Sequence, residues 1–384
     1  MASKSSEIVA NNDDLLKEIL TKLPLKSLMR FTSVSKHWLS LISGPYFNSR
    51  RSPFPRSVSG LFLPFIGSRL EYEFVDLNQS SNPTNPPFRS LNFTNDPSGM
   101  GIEIVRSCNG LLLCSATENY VYNPTTMKYT VLPPLPLRSR FVCGLSLAFD
   151  PSKCPHYKVL CVLVFDPIDE YHEDHCQIEI YSSKTRTWRL SGDSFYADIT
   201  ARFDDGVFWN GSVHWISLWG ASRYFNVDEE RLRQMPLLPV PVDWDGKRKI
   251  GYFGESHGHL HLINRVYDPN TLEFDVYEME TDYSGWFVKF RVDWSQIRTA
   301  FPEIKFIFNH LQRLDDDLFS IVYIDPGDVN EESYAIIKVP GELIRYNFKS
   351  KAIDKLHDIE TENFVEVLPW EFNCYQYIES LALV

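Results

Sequence analysis

The sequence predicts a mostly β protein preceded by a small all-α region, and three observations carry that prediction. Helical periodicity is confined to residues 12–45. After Pro53 the chain breaks into short apolar or alternating runs punctuated by Gly, Pro, Asn and Asp, the pattern of strands and turns. One strand–turn unit then recurs along that second part at intervals typical of a repeat architecture. The 384 residues include 26 Phe, 19 Tyr and 9 Trp. Those rings can fill a large core, and wholesale disorder is excluded. The longest apolar run, Val159 to Phe165, falls far short of the roughly 20 residues that span a bilayer.

Charge is unevenly spread. There are 38 basic and 50 acidic side chains, a formal net of −12. Residues 1–52 nevertheless hold eight Lys/Arg against four Asp/Glu. The acidic remainder is a poor match for phosphate backbones, so no nucleic-acid partner is expected, and no membrane partner either. Seven cysteines form no Cys-x-x-Cys pair. The opening residues lack the apolar core of a secretory signal. The expected setting is reducing, cytoplasm or nucleus, with thiols acting as small hydrophobes and the sequons at Asn92 and Asn210 coincidental.

Residues 1–11 are expected to be disordered. Leu15, Ile19 and Leu23 then lie four apart, and Leu16 and Leu20 thicken the same stripe of a first helix. Asn12, Asp13 and Asp14 supply capping groups at its positive end, and Pro24 stops it. A second short helix holds Leu25, Leu28 and Phe31. A third begins near Ser35, carries Trp38, Leu41 and Ile42 on one face, and breaks at Gly44 and Pro45. Three such helices fall below the size at which a domain usually stands alone. Residues 12–45 nonetheless carry fourteen large apolar side chains, each gaining roughly 1.5–3 kcal/mol on leaving water. Either a partner protein covers this excess, or the chain's own second part does.

The spacing of particular residues decides between these. The run from Asp14 to Trp38, with its Leu23-Pro24 turn through Leu28, its Val34 to Trp38 segment and the following Leu41-Ile42, resembles an F-box. That resemblance implies docking to a Skp-type adaptor and, through it, to a cullin–RING ubiquitin ligase. One departure stands out: Asn11-Asn12 replaces the family's usual Leu-Pro ahead of the acidic pair. The residues assigned to the adaptor face, or to the small core beneath it, are Leu15, Leu16, Ile19, Leu20, Leu23, Pro24, Leu28, Val34 and Trp38.

In the second part, a turn with Gly leads into an apolar strand, then a strand ends in a polar turn. Asn109 to Cys114 leads to Tyr120–Thr126, Tyr157–Leu160 to Ile178–Thr185, and Asn210–Trp215 to Tyr224–Asp228. Gly258–Leu262 leads to Phe274–Met279, and Leu318–Val322 to Ile344–Lys349. Aligning Asn123, Ser183, Asp228, Glu278 and Phe348 gives steps approaching the roughly 40–50 residues of a propeller blade, with some inserted loops. Gly60–Leu63 with Glu71–Val75 makes a sixth unit. Tyr377–Leu383 is again strand-like and is expected to close the ring on the first blade. A six-bladed β-propeller follows, since each blade alone exposes an apolar face that stacking buries; a β-sandwich with long insertions is the competing architecture. Cys108–Leu112, Tyr122–Thr125, Phe208–Trp215, Val276–Met279 with Trp286–Lys289, and Tyr377–Leu381 resemble the F-box-associated, kelch-like domain of the large plant F-box family. The expected division is an F-box over 12–52 and a substrate-recognition propeller over 53–384.

Candidate chemistry is sparse. His172, His175 and Cys176 cluster in an acidic stretch without a second ligand pair at structural-zinc spacing. His257, His259 and His261 alternate along a strand and so should share one face. His214 reads as a packed strand residue. Gly144–Ala148 lacks the final glycine and the helix of a nucleophile elbow, and Gly99-Met100-Gly101 lacks the third glycine of a dinucleotide loop. Asp315–Asp317 reads as a solvated turn, and Lys247–Lys249 is short for an import signal. No cofactor, metal or catalytic residue is expected. The resemblance implies a non-catalytic substrate receptor of a Skp–cullin–F-box ligase that grips an unidentified target protein. The alternatives are a propeller enzyme acting on glycans and an F-box scaffold uncoupled from the ligase.

Overall fold

The computed structural model describes residues 12–23, 25–44, 47, 58–66, 70–77, 91–94, 99–135, 140–165, 174–198, 200–217, 221–238, 248–266, 273–301, 320–327, 332–359 and 374–384. Three short helices come first: α1 (Asp13–Thr21), α2 (Leu25–Phe31) and α3 (Lys36–Ser43). Asn12 is the N-cap of α1, its side-chain oxygen accepting from the amides of Asp14 and Leu15. The Asn that departs from the family pattern thus satisfies two of the helix's four orphan donors. Ser35 caps α3 in the same way, accepting from the Trp38 amide. His37 Nε2 lies 2.9 Å from Asp13 Oδ1, tying the start of α3 to the start of α1.

Six antiparallel sheets follow. Blade I consists of β1 (Gly60–Ile66) and β2 (Leu70–Asp76), completed by β23 (Tyr375–Tyr377). Blade II is β3 (Glu103–Cys108), β4 (Leu111–Ser115), β5 (Asn119–Asn123) and β6 (Lys128–Val131). Blade III is β7 (Arg140–Ala148), β8 (Lys158–Phe165), β9 (Asp174–Ser182) and β10 (Thr187–Ala197). Blade IV is β11 (Val207–Trp209), β12 (Ser212–Trp215), β13 (Arg223–Asn226) and β14 (Arg231–Gln234). Blade V is β15 (Arg248–Ser256), β16 (His259–Val266), β17 (Glu273–Met279) and β18 (Trp286–Asp293), followed by a helix, α4 (Trp294–Ala300). Blade VI is β19 (Ser320–Asp325), β20 (Tyr334–Val339), β21 (Glu342–Asn347) and β22 (Ile353–Asp358). Blades II to VI are simple meanders. The architecture is therefore a six-bladed β-propeller headed by helices, not a sandwich.

The repeat has a finer structure than its apolar pattern suggests. In blades II to VI the residue four positions after the third strand's end has positive φ: Met127, Arg186, Glu230, Tyr283 and Lys351, between 55° and 61°. Asn123, Asn226 and Asn347 end that third strand, and each side chain accepts two amide protons from the turn ahead of it. These are Asx turns, which stand in for lost ladder hydrogen bonds. The sequence alignment on Asn123, Ser183, Asp228, Glu278 and Phe348 falls within two residues of the true strand ends. Four first strands also share a one-residue bulge, at Val105, Cys143, Gly251 and Val322.

Two strand assignments are corrected. The strand leading into Ile344 is β20 (Tyr334–Val339), not Leu318–Val322; Ser320–Val322 belongs to the preceding β19. Ring closure uses Tyr375–Tyr377, which pair with Gly60–Phe62, so only Tyr377 of the expected Tyr377–Leu383 strand takes part. Residues beyond it turn away to other duties. The Asn123 side-chain amide donates to the carbonyls of Ser380 and Ala382 at 3.1 and 2.8 Å. Ala382 joins the core between blades II and III, while Leu381 is buried among Leu16, Leu20, Leu28, Ile42 and Phe47 of the helical region. One short segment thus closes the ring, braces blade II and seats the helices.

Candidate functional site

The helical region sorts its apolar residues into two sets. Leu16, Leu20 and Leu28 are sealed inside, with Ile42, Phe47 and Leu381. Leu23 and Trp38 pack partly against that cluster, and the Trp38 ring meets Phe31 edge-on at 5.3 Å. Leu15, Ile19 and Val34 instead remain 40%, 47% and 58% exposed. Pro24 lies outside the described residues. Of the nine residues assigned from sequence, then, three face solvent, three form the supporting core and two lie between. Periodicity could not divide them, because a seven- or nine-residue helix spreads its leucines over a stripe wider than one contact.

Leu381 is covered by these helices, and the hairpin turn at Asn109-Gly110 lies against Ser380. The helices therefore sit at the mouth of the ring where first strands end. At the opposite mouth, where first strands begin, Phe141 and Tyr196 are each 59% exposed and Val142 is 43% exposed. They stand at one end of blade III, where β7, β8, β9 and β10 place Phe141, Val164, Cys176 and Phe195 beside one another. The His175 ring stacks on Tyr196 at 5.0 Å.

Between the mouths runs a central cavity of about 280 Å³, lined by first strands β3, β11, β15 and β19 and by β23. Arg106 and Arg202 converge there on Asp205. Arg106 holds one carboxylate oxygen at 2.7 Å and Arg202 grips the other. Arg106 directly follows the bulge at Val105, a device that re-aims a strand's side chains. Glu255 also lines the cavity. Burial pushes its carboxyl up to about 7, partly opposed by the Gly258 amide, which donates to Oε1 at 2.8 Å. Arg106, Arg202, Asp205 and Glu255 were all missed from sequence. The only hint was a charged residue inside a strand ending in Asn-Gly.

The other sequence candidates resolve into packing. His175 stacks on Tyr196, and Cys176 is buried in the core between blades III and IV; His172 and Asp315–Asp317 lie outside the described residues. His259 and His261 do share a face, both against Glu278, with contacts of 2.8 and 3.4 Å. His257 does not join them; it sits in the turn with φ 49° and approaches Asp325 at 3.6 Å. Lys289 comes within 3.2 Å of the same Glu278 carboxylate. The carboxylate is held far below its usual range, the contacts from both histidines outweighing its burial. Among the described residues no group of three or more His, Cys, Asp or Glu is arranged to hold a metal ion. His214 is buried between the Val207 carbonyl and the Tyr283 hydroxyl, and burial lowers its pKa to about 4. Gly144 lies in β7, where an added Cβ would fall 2.1 Å from the Phe203 carbonyl oxygen; it permits close packing.

Two family models match this chain in succession: an F-box domain over residues 12–50 and an F-box associated beta propeller domain over residues 62–384. The chain belongs to the F-box proteins with an associated β-propeller. An F-box protein of Arabidopsis thaliana is 35% identical across all of this chain and 94% of its own length. An F-box/kelch-repeat protein of the same plant is 28% identical over 58% of this chain and 60% of its own. Among solved structures, an oligogalacturonate lyase from Vibrio parahaemolyticus aligns with 9% identity and a TM-score of 0.44, over 81% of this chain and 78% of its own. That likeness is too distant to bear on function. For this F-box protein, the family supports in general terms a substrate-receptor role and Skp-type adaptor binding, the coarse part of what its helices implied.

Proposed function

We propose that this protein is the substrate-recognition subunit of a Skp–cullin–F-box ubiquitin ligase, working in the cytoplasm or nucleus. The observation that carries the reading is the division within the helices: Leu16, Leu20 and Leu28 are sealed, while Leu15, Ile19 and Val34 are left in water. Covering what they still expose would recover roughly half of the 1.5–3 kcal/mol that full burial of each is worth, several kcal/mol for the cluster, a scale suited to the anchor of a protein interface. The target would dock at the far mouth, where Phe141, Val142 and Tyr196 are exposed. The chain would contribute proximity rather than chemistry, raising the effective concentration of target lysines near the conjugating enzyme.

Copurification of the full chain with a Skp-type adaptor tests this. Ile19→Asp should lose the adaptor while the propeller's thermal transition stays unchanged. Leu23→Asp should do the same, with some loosening of the helices because Leu23 is half-buried. Undiminished capture by Ile19→Asp would refute the assigned face. A folded wild-type chain that captures no adaptor would favour the uncoupled-scaffold alternative.

A further inference from the structure

We propose that the central channel of the propeller is a binding site for a small monocarboxylate with an apolar body, its head held by Arg106 and Arg202. Three observations converge. First, the lining sets two guanidiniums against the single carboxylate of Asp205, inside a region that is otherwise strongly acidic. Each guanidinium has five donors in a planar fork, the geometry that matches a carboxylate edge. Arg106 spends one nitrogen on Asp205 and another on the Val105 carbonyl at 2.6 Å, whereas Arg202 is engaged by Asp205 alone among the described residues; Asp205 fixes the two forks relative to each other. Second, Arg202 lines the same cavity with its side chain 37% exposed, against 14% for Arg106, so it is the fork that keeps donors open to a ligand. Third, the channel also presents the half-buried Phe208 and Ile250, and about 280 Å³ suits a metabolite-sized ligand rather than a folded peptide.

Charge selects the ligand class. Two cations face the carboxyls of Asp205 and Glu255, and with Glu255 biased by burial toward its neutral form the lining keeps at most one positive charge in excess, which a monocarboxylate neutralises and a phosphate dianion overshoots. Glu255, with its Oε1 held by the Gly258 amide, therefore repels an incoming anion less than an exposed glutamate would. Low-dielectric walls focus the remaining field into the channel. This site is separate from the adaptor face and does not depend on the ligase reading.

Isothermal titration of the full chain with phenylacetate, at fixed ionic strength, tests the proposal, with phenylacetamide as its neutral isostere and inorganic phosphate as the dianion. The expected result is saturable binding of phenylacetate, none of the amide, and weaker binding of phosphate. Arg202→Gln should weaken phenylacetate by about tenfold or more, the loss of a charge-assisted pair, while Arg202→Lys, which keeps the charge, should weaken it less. If Arg202→Gln fails to fold, the Arg202→Lys and amide arms still decide. Absence of saturable phenylacetate binding, equal binding of acid and amide, tighter binding of phosphate, or indifference to both substitutions would each overturn the assignment.

Discussion

The helical region and the propeller solve the burial problem in opposite ways. Each blade is flanked by neighbours, so apolar residues on both faces of its sheet find cover: Leu113 and Val121 of blade II, for example, pack toward blade III, and Leu112 and Tyr122 toward blade I. The helices have no such ring. Their core needs Leu381, borrowed from the far end of the chain, and it still leaves Leu15, Ile19 and Val34 uncovered. An apolar residue exposed on the propeller is an exception to local packing. On the helices it is the consequence of having too few neighbours, and it is the feature a partner can use.

The largest expected effect tests that contrast directly. Leu20→Asp places a carboxylate in the sealed helical core and should cost about 4 kcal/mol or more, enough to unfold the helices while the ring persists. Ile19→Asp, one residue away, should change stability by under about 1 kcal/mol. Hydrogen exchange of the α1 and α3 amides separates the two; equal loss of protection in both would erase the distinction between core and face. Next, Gly144→Ala should cost about 2–4 kcal/mol, because its Cβ would collide with the Phe203 backbone. Gly285→Ala should be near neutral, since nothing lies within 4 Å of the added carbon. Urea midpoints give both values.

A smaller step probes the segment shared by the two regions. Asn226→Ala removes two turn hydrogen bonds and should cost about 1 kcal/mol. Asn123→Ala removes the same turn bonds and also both anchors to residues 380 and 382, so about 2–3 kcal/mol is expected. It should also raise hydrogen exchange in the helices, through Leu381. A loss of only about 1 kcal/mol with unchanged helical protection would show that the two regions are not coupled through that segment.

Much of this was legible in the sequence, for identifiable reasons. The helices announced themselves through period and caps, and the blades through Asn-Gly turns at Asn109 and Asn210, where positive φ is required. Blade VI was misread because the turn signal at Pro326-Gly327 lies seven residues ahead of its second strand, Tyr334–Val339, unlike the tight Asn-Gly turns of blades II and IV, and the pattern settled on the preceding strand instead. The division of α1 into Leu16 and Leu20 inside, Leu15 and Ile19 outside, depended on Leu381, some 360 residues distant. The channel was invisible for the same reason. Arg106 and Asp205 are 99 residues apart, and nothing local marks them as partners.

The one effect that depends on pH belongs to the propeller alone. Glu255 titrates near 7 in the folded chain and near 4.5 when unfolded. Below about 4.5 both states hold the proton, so the side chain contributes nothing to the pH dependence. Between 4.5 and 7 the unfolded chain releases it first, which favours unfolding, and above 7 the penalty is constant. The shift corresponds to about 3 kcal/mol at most, and to less in practice because part of the side chain reaches the channel. Tyr252, Tyr323 and Cys108 surround the same charge and are themselves pushed up by burial, so they stay neutral across this window; His214, whose pKa burial lowers, titrates there with the opposite sign but alike in wild type and variant, so it cancels in their difference. Glu255→Gln keeps the acceptor for the Gly258 amide and removes the charge. The variant should match the wild type at pH 4.5 and exceed it by about 1–3 kcal/mol at pH 8, with the gain confined to the ring's transition. A gain present already at pH 4.5 would mean that packing, not charge, limits the channel. A gain shared by the helices would mean that the ring and its borrowed Leu381 unfold as one unit, which is the sharpest form the contrast between the two regions can take.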